Sequence, residues 1–200
     1  MKKLICLVLA ALLCVGAVAM AESSVPSKST ADLTQATGVQ SESGAEVKSD
    51  FVLEPATASK ATAEQTVATQ KVIDELTATS AKDYCSDVTD KDGNGVDVTA
   101  ILGADKKPVI NEIMPLTVEN YDSSYGDMKA SYTFATEYDK DEPVVIVLTI
   151  VDPVTGKVKK IAVEGKGNGV NGGIDVVFPA EVMEAMNGAC VTMSVVSAAK

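Results

Sequence analysis

Residues 143–165 read PVVIVLTIVDPVTGKVKKIAVEG, and the fold follows from them. Val144 to Val151 is an almost unbroken β-branched and aliphatic run. It is too short to cross a bilayer, and its residue types suit a strand covered on both faces. Asp152-Pro153-Val154-Thr155-Gly156 then reverses the chain. Proline presets φ at the first central turn position, and glycine accepts the positive φ that closes a type I turn with a bulge. Lys157 to Glu164 mixes lysines with Val158, Ile161 and Val163, as a strand with one wet face does. The stretch therefore predicts a β-hairpin on which other strands pair.

Working outward, Met128 to Thr136 alternates with period two. Met128, Ala130, Tyr132 and Phe134 fall on one face, and Lys129, Ser131 and Thr133 on the other. Strands are also expected at Val96–Leu102, at Val109–Val118 with a break or bulge at Pro115, at Ile174–Phe178 and at Cys190–Val196. A helix should open at Thr62, whose spacing to Gln65 fits a capping box, and present Ala68, Val72, Ile73 and Leu76. A second, short helix is expected from Pro179 to Asn187, with Val182, Met183 and Met186 as its apolar stripe. The fold class is mainly β: an Ig-like β-sandwich or open barrel of about seven strands, with one N-terminal helix and one short helix before the last strand.

The chain starts with Lys2 and Lys3, an apolar run from Leu4 to Val18, and Ala19-Met20-Ala21. This is the pattern of a signal peptide cleaved after Ala21. Leu13 before Cys14 speaks against a lipoprotein. Cleavage removes the two lysines, taking the net charge from −11 to −13. Residues 22–61 are rich in Ser, Thr, Ala and Glu, with Phe51 as their one aromatic, and read as a disordered tether to a domain at 62–200. Within it, Phe51-Val52-Leu53 is the one candidate for docking on the body, and a loose cluster in the tether is the leading reading.

Composition narrows the function. All 17 basic residues are lysine, and histidine and tryptophan are absent. Without histidine the commonest general base and zinc ligand is missing, and without arginine there is no bidentate anion clamp. The acidity argues against nucleic acid and against anionic membrane surfaces, and no membrane insertion is expected once the leader is removed. Cys85 and Cys190 are the cysteines left after cleavage. Bonded, they would close a loop of about a hundred residues worth up to roughly 4–5 kcal/mol; otherwise they are two buried free thiols.

Three stretches carry patterns associated with chemistry. Asp90-Lys91-Asp92-Gly93-Asn94-Gly95 matches the first half of a calcium loop, but Ile101 stands where the bidentate acid belongs. A weak calcium site on Asp90, Asp92, Asn94 and Asp97 competes with a plain hairpin turn, which is the leading reading. Gly167, Gly169 and Gly172 spell G-x-G-x-x-G, but the residues that follow read as a strand, so a flexible connection is expected rather than a dinucleotide loop. Residues 119–127, ENYDSSYGD, group Glu119, Asp122 and Asp127 with Tyr121 and Tyr125, a set from which a carboxylate-based hydrolase could be built. No catalytic residue is assigned.

From Asn111 to Val196 the chain resembles small exported proteins of Gram-positive bacteria that carry one β-sandwich. The resembling features are INEIMPLTVENY, the YGD that follows, FATEY, the DPVTG turn and FPAEVMEAMNG. The resemblance implies an exported single-sandwich plan and carries no catalytic residues across. Together these readings point to a secreted or cell-surface, non-enzymatic module whose partner is an extracellular protein or a glycan. A calcium-dependent binding domain and the hydrolase are the alternatives.

Overall fold

The structure is a computed structural model and describes residues 25–152 and 154–200. The leader reading and Pro153 lie outside the described residues. Eight strands form one antiparallel sheet: β1 (Gln35–Ser41), β2 (Val52–Pro55), β3 (Pro108–Glu119), β4 (Met128–Thr133), β5 (Pro143–Val151), β6 (Val158–Gly167), β7 (Ile174–Phe178) and β8 (Cys190–Ala198). Their order is β1-β4-β7-β6-β5-β8-β3-β2, and the edge strands β1 and β2 approach each other. The sheet is thus an open, nearly closed barrel rather than two stacked sheets. Among the described residues four α-helices accompany it, α1 (Ala63–Ala78), α2 (Ala81–Tyr84), α3 (Val98–Leu102) and α4 (Ala180–Met186), besides two single-turn 3-10 helices.

The expected hairpin is present. β5 and β6 pair continuously from Pro143↔Lys166 to Val151↔Val158. Its turn is closed by Asp152, whose Oδ1 accepts from Val154 N at 2.9 Å and Thr155 N at 2.7 Å; Gly156 adopts φ +67°. β5 lies between β6 and β8 and is buried on both faces, which is why its sequence does not alternate. Val144, Ile146, Leu148 and Ile150 point into the barrel with Met114, Leu116, Met193, Val195, Tyr132 and Phe178. Val145 and Val147 point outward beneath α1 to α3, with Ile110, Ile113, Leu76 and Tyr84. The outer face of the central strands therefore needs a helical cover, and residues 63–102 supply it.

Three expectations are corrected. The segment read as a tether folds: β1 pairs with β4 and β2 with β3, and Phe51 packs between Tyr121 and Tyr125 with centroid distances of 6.3 and 5.7 Å. Edge strands need few apolar residues, because one side of their backbone and most of one face stay wet; the composition of 35–55 therefore looks unstructured. The strand expected at 96–102 is helix α3. Asp97 caps it, accepting from Thr99 N and Ala100 N at 3.0 and 3.2 Å, and Val98 and Leu102 are buried one turn apart. That pair satisfies a helical period as well as alternation does. Finally, the irregularity in β3 falls at Asn111 and not at Pro115. Pro115 faces past the end of β2, where only its carbonyl is needed, accepting from Ala56 N at 2.9 Å.

The expected capping box is formed. Gln65 N donates to Thr62 Oγ1 at 3.2 Å, and Thr62 N to Gln65 Oε1 at 2.9 Å. α4 buries Val182, Met183 and Met186, as its stripe requires.

Candidate functional site

The 90–97 loop is a turn whose acids serve its own backbone. Asp90 Oδ1 accepts from Asp92 N at 2.9 Å and Asn94 N at 2.8 Å, and its Oδ2 accepts from Asn94 Nδ2 at 3.0 Å. These bonds favour the charged form and hold the Asp90 carboxyl below its ordinary range. Asp92 pairs with Lys91 at 3.1 Å, and Asp97 turns away to cap α3. Among the described residues, no three of Cys, Asp and Glu are grouped as around a metal ion.

In the 119–127 loop the carboxylates diverge. Glu119 ends β3 opposite Val52. Asp122 accepts from Ser124 N at 3.0 Å, and Asp127 accepts from Ala180 N at 2.9 Å, capping α4. Tyr121 and Tyr125 face inward, edge to face at 5.9 Å, and Tyr121 OH donates to Gly126 O at 2.8 Å. The two tyrosines serve as core side chains.

The glycine triplet is packed, not loose. A Cβ on Gly167 would lie 1.8 Å from Asp139 O, and one on Gly172, at φ +67°, would lie 2.7 Å from Glu137 Cα. The glycines let 167–173 pass against the 134–142 connection, a close backbone approach that a side chain would block.

Cys85 and Cys190, for which a bonded and a free reading were both open, are free thiols in separate settings. Cys85 follows α2 and is buried with Val72, Tyr84 and Val88. Burial pushes its thiol up to about 12, with Lys160 lowering and Asp87 raising it by smaller amounts. Cys190 opens β8 and is half-buried; burial, then Glu64, raises its thiol too. Only thiolates alkylate readily. Peptide mapping after native treatment with iodoacetamide at pH 8 should find Cys190 slowly modified and Cys85 protected until the chain unfolds. Equal labelling of both, or labelling of either only after reduction, would contradict this.

Between the helical layer and the sheet runs a buried polar seam that the sequence did not announce. Lys160 Nζ contacts Glu75 Oε1 at 2.7 Å and Asp87 Oδ1 at 3.1 Å, and sits 4.3 Å from the centroid of the Tyr84 ring. Tyr84 OH meets Thr149 Oγ1 at 3.0 Å and Ser194 Oγ at 3.4 Å, and Thr69 meets Thr192 at 3.0 Å. Ser194 and Thr192 are wholly buried, so the seam holds the layers together.

Beside that seam, α1 and the β5–β6 hairpin enclose a groove of about 570 Å³. Ala63, Val67, Val72, Val151 and Val158 line it, with Cys190, under a rim of Glu64, Lys71, Glu75 and Asp152. No family model, curated protein or solved structure matches this chain. The groove is therefore weighed on its own geometry. Val67 is 55% exposed and Val158 61%, although a solvated helix face and a lysine-rich strand would ordinarily carry polar residues there. That misplacement was the available signal in the sequence: Val67 lies off the Ala68–Val72–Leu76 stripe. Among the described residues, no helix is long and apolar enough to cross a membrane.

Proposed function

We propose that the protein is an exported, non-enzymatic interaction module that receives an apolar segment of an extracellular protein in the groove between α1 and the β5–β6 hairpin. The observation that carries this reading is the pair of solvent-facing valines, Val67 on α1 and Val158 on β6, that border one concavity. Scattered single apolar residues need no explanation, but an apolar concavity with a polar rim marks an interaction site. Three acids and one lysine on the rim, on a chain of net charge −11, favour a partner segment flanked by basic residues. The lining contains no aromatic ring on which a sugar would stack, so a protein partner is preferred to a glycan.

Peptides selected by phage display against the purified protein test this reading. Enriched peptides should carry an apolar centre with Lys or Arg on its flanks. They should bind the double variant Val67→Glu, Val158→Glu at least tenfold more weakly. Both residues are exposed, so the variant's melting temperature should stay within a few degrees of the parent. Equal binding to the double variant, or no enrichment at all, would overturn the assignment.

A further inference from the structure

We infer that Asn94-Gly95 is a self-modification site, at which the folded protein converts its own backbone to an iso-aspartyl link, and that Asp90 is the brake on the conversion. Four of the six asparagines precede glycine: Asn94, Asn168, Asn171 and Asn187. A glycine in that place leaves the amide nitrogen unshielded by any Cβ and its backbone free to turn. That nitrogen attacks the asparagine Cγ. The N–Cγ bond forms, the Cγ–Nδ2 bond breaks, and ammonia leaves with the glycine's proton. Water then opens the cyclic imide at either carbonyl and yields an aspartyl or an iso-aspartyl link. The sum is asparagine plus water to acid plus ammonia, with no change of oxidation state.

The fold decides which of the four reacts. Asn187 is held at both ends of its amide: Oδ1 accepts from Tyr121 N at 3.2 Å, and Nδ2 donates to Tyr121 O at 3.4 Å. The Gly188 N that would attack it already donates to Val118 O at 2.9 Å. Asn168 is half-buried; its Oδ1 accepts from Val170 N at 2.8 Å, and its Nδ2 donates to Asp175 Oδ1 at 3.1 Å. Asn171 stands at φ +48° inside a turn closed by Gly173 N on Val170 O at 2.9 Å. Swinging Gly172 N toward that side chain would open the turn and drive Gly172 into Glu137, which it already abuts.

Asn94 differs on each count. It and Gly95 are exposed, Gly95 N donates no hydrogen bond among the described residues, and nothing lies within 4 Å of a Cβ built on Gly95. What opposes ring closure is Asp90. Its N donates to Asn94 O at 2.8 Å, and its carboxylate holds Asn94 N and Nδ2. These bonds lie in water, where each contributes little. The iso-aspartyl link carries the chain through the side-chain carbon and lengthens the backbone by one atom, so the Thr89↔Gly95 bridge loses its register. Thr89 N also donates to Lys160 O at 3.1 Å, and Ala162 N to Thr89 O at 2.8 Å, so the change falls against the strand that carries Lys160. This site is separate from the valine groove and does not depend on its assignment.

The test is incubation at pH 8, in buffer and in concentrated urea, followed by peptide mapping with mass spectrometry. A zero-time sample corrects for conversion during digestion. In urea all four sites should convert together. In buffer Asn94 should gain the one dalton that exchange of NH2 for OH brings. It should do so at least about tenfold faster than the other three, given the bonds and contacts that they would have to give up. Asp90→Ala should speed the conversion roughly three- to tenfold. Gly95→Ala should slow it several-fold, because the new Cβ shields the attacking nitrogen, and should leave the melting temperature in place. A folded protein that keeps the Asn94 amide while the urea sample converts overturns the inference. So does conversion of the other three in step with Asn94, or a rate that Asp90→Ala leaves unchanged.

Discussion

Gly167→Ala is expected to lower the melting temperature by on the order of 10 °C. The added methyl would stand 1.8 Å from Asp139 O, 2.9 Å from Asp139 C and 3.3 Å from Tyr138 Cβ. Backbone cannot swing aside as a long side chain can. Both segments are also tied together there: Gly167 N donates to Glu142 O, and Asp141 N to Gly167 O, each at 2.8 Å. Relieving the clash means breaking those bonds or shifting β6 from β7. Overpacking in well-fitted regions costs about 1–3 kcal/mol, and a clash against fixed backbone falls at or above the top of that range. For a chain of this size each kcal/mol moves the midpoint by roughly 2–4 °C. Gly95→Ala is the control, because nothing lies within 4 Å of its added methyl, and it should melt with the parent. Calorimetric midpoints for Gly167→Ala and the parent that agree within about 2 °C would contradict the packing described for this junction.

The same glycines show where a sequence stops being legible. Gly167, Gly169 and Gly172 look like flexibility when read along the chain, because their constraint comes from the 134–142 connection, about thirty residues earlier. The β5–β6 hairpin was readable because all its determinants are local: a β-branched run, an Asp-Pro-x-x-Gly turn, a second run. β1 was not, because Gln35 to Ser41 becomes a strand only by pairing with β4, from Gln35↔Thr133 to Ser41↔Met128, and no local period records that. α3 was misread because Val98 and Leu102 fit two periods, and the cap from Asp97 decided between them. The candidate sites follow the same rule. Of the acids singled out by motif, Asp90, Asp97 and Asp122 cap their own turns and helix, which is a local task, and Asp127 caps α4 across the fold. The groups left without local work, Val67 and Val158, meet only through the tertiary fold.

Lys160 supplies the second large effect, and it carries a pH signature. The side chain leaves β6 opposite Thr149, is 9% exposed and joins the sheet to α1 through Glu75. Lys160→Ala removes the cation and uncovers the Tyr84 ring, so the loss should be about 2–3 kcal/mol. It should fall short of the roughly 3–5 kcal/mol of a fully buried pair, because Glu75 and Asp87 keep 43% and 65% side-chain exposure and can turn to water. Lys160→Met keeps the stem over Tyr84 and should lose less. Burial alone would depress the Lys160 ammonium, but the two carboxylates outweigh it, and the group ends above its ordinary 10.5. A base whose folded value is raised adds stability that is complete below its unfolded value and disappears as pH climbs through the folded one. The gap in unfolding free energy between parent and Lys160→Met should therefore be constant from pH 7 to 9 and shrink above about pH 10.5. Comparing the two proteins cancels the titration of the lysines and tyrosines distant from Lys160, which both share; Tyr84 and Cys85, which feel its charge, do not cancel. The seam fixes α1, one wall of the valine groove, so Lys160→Ala should also weaken capture of groove-binding peptides without touching the groove's valines. A stability gap absent at neutral pH, or undiminished well above the folded value of Lys160, would mean that the lysine does not clamp the helical layer to the barrel.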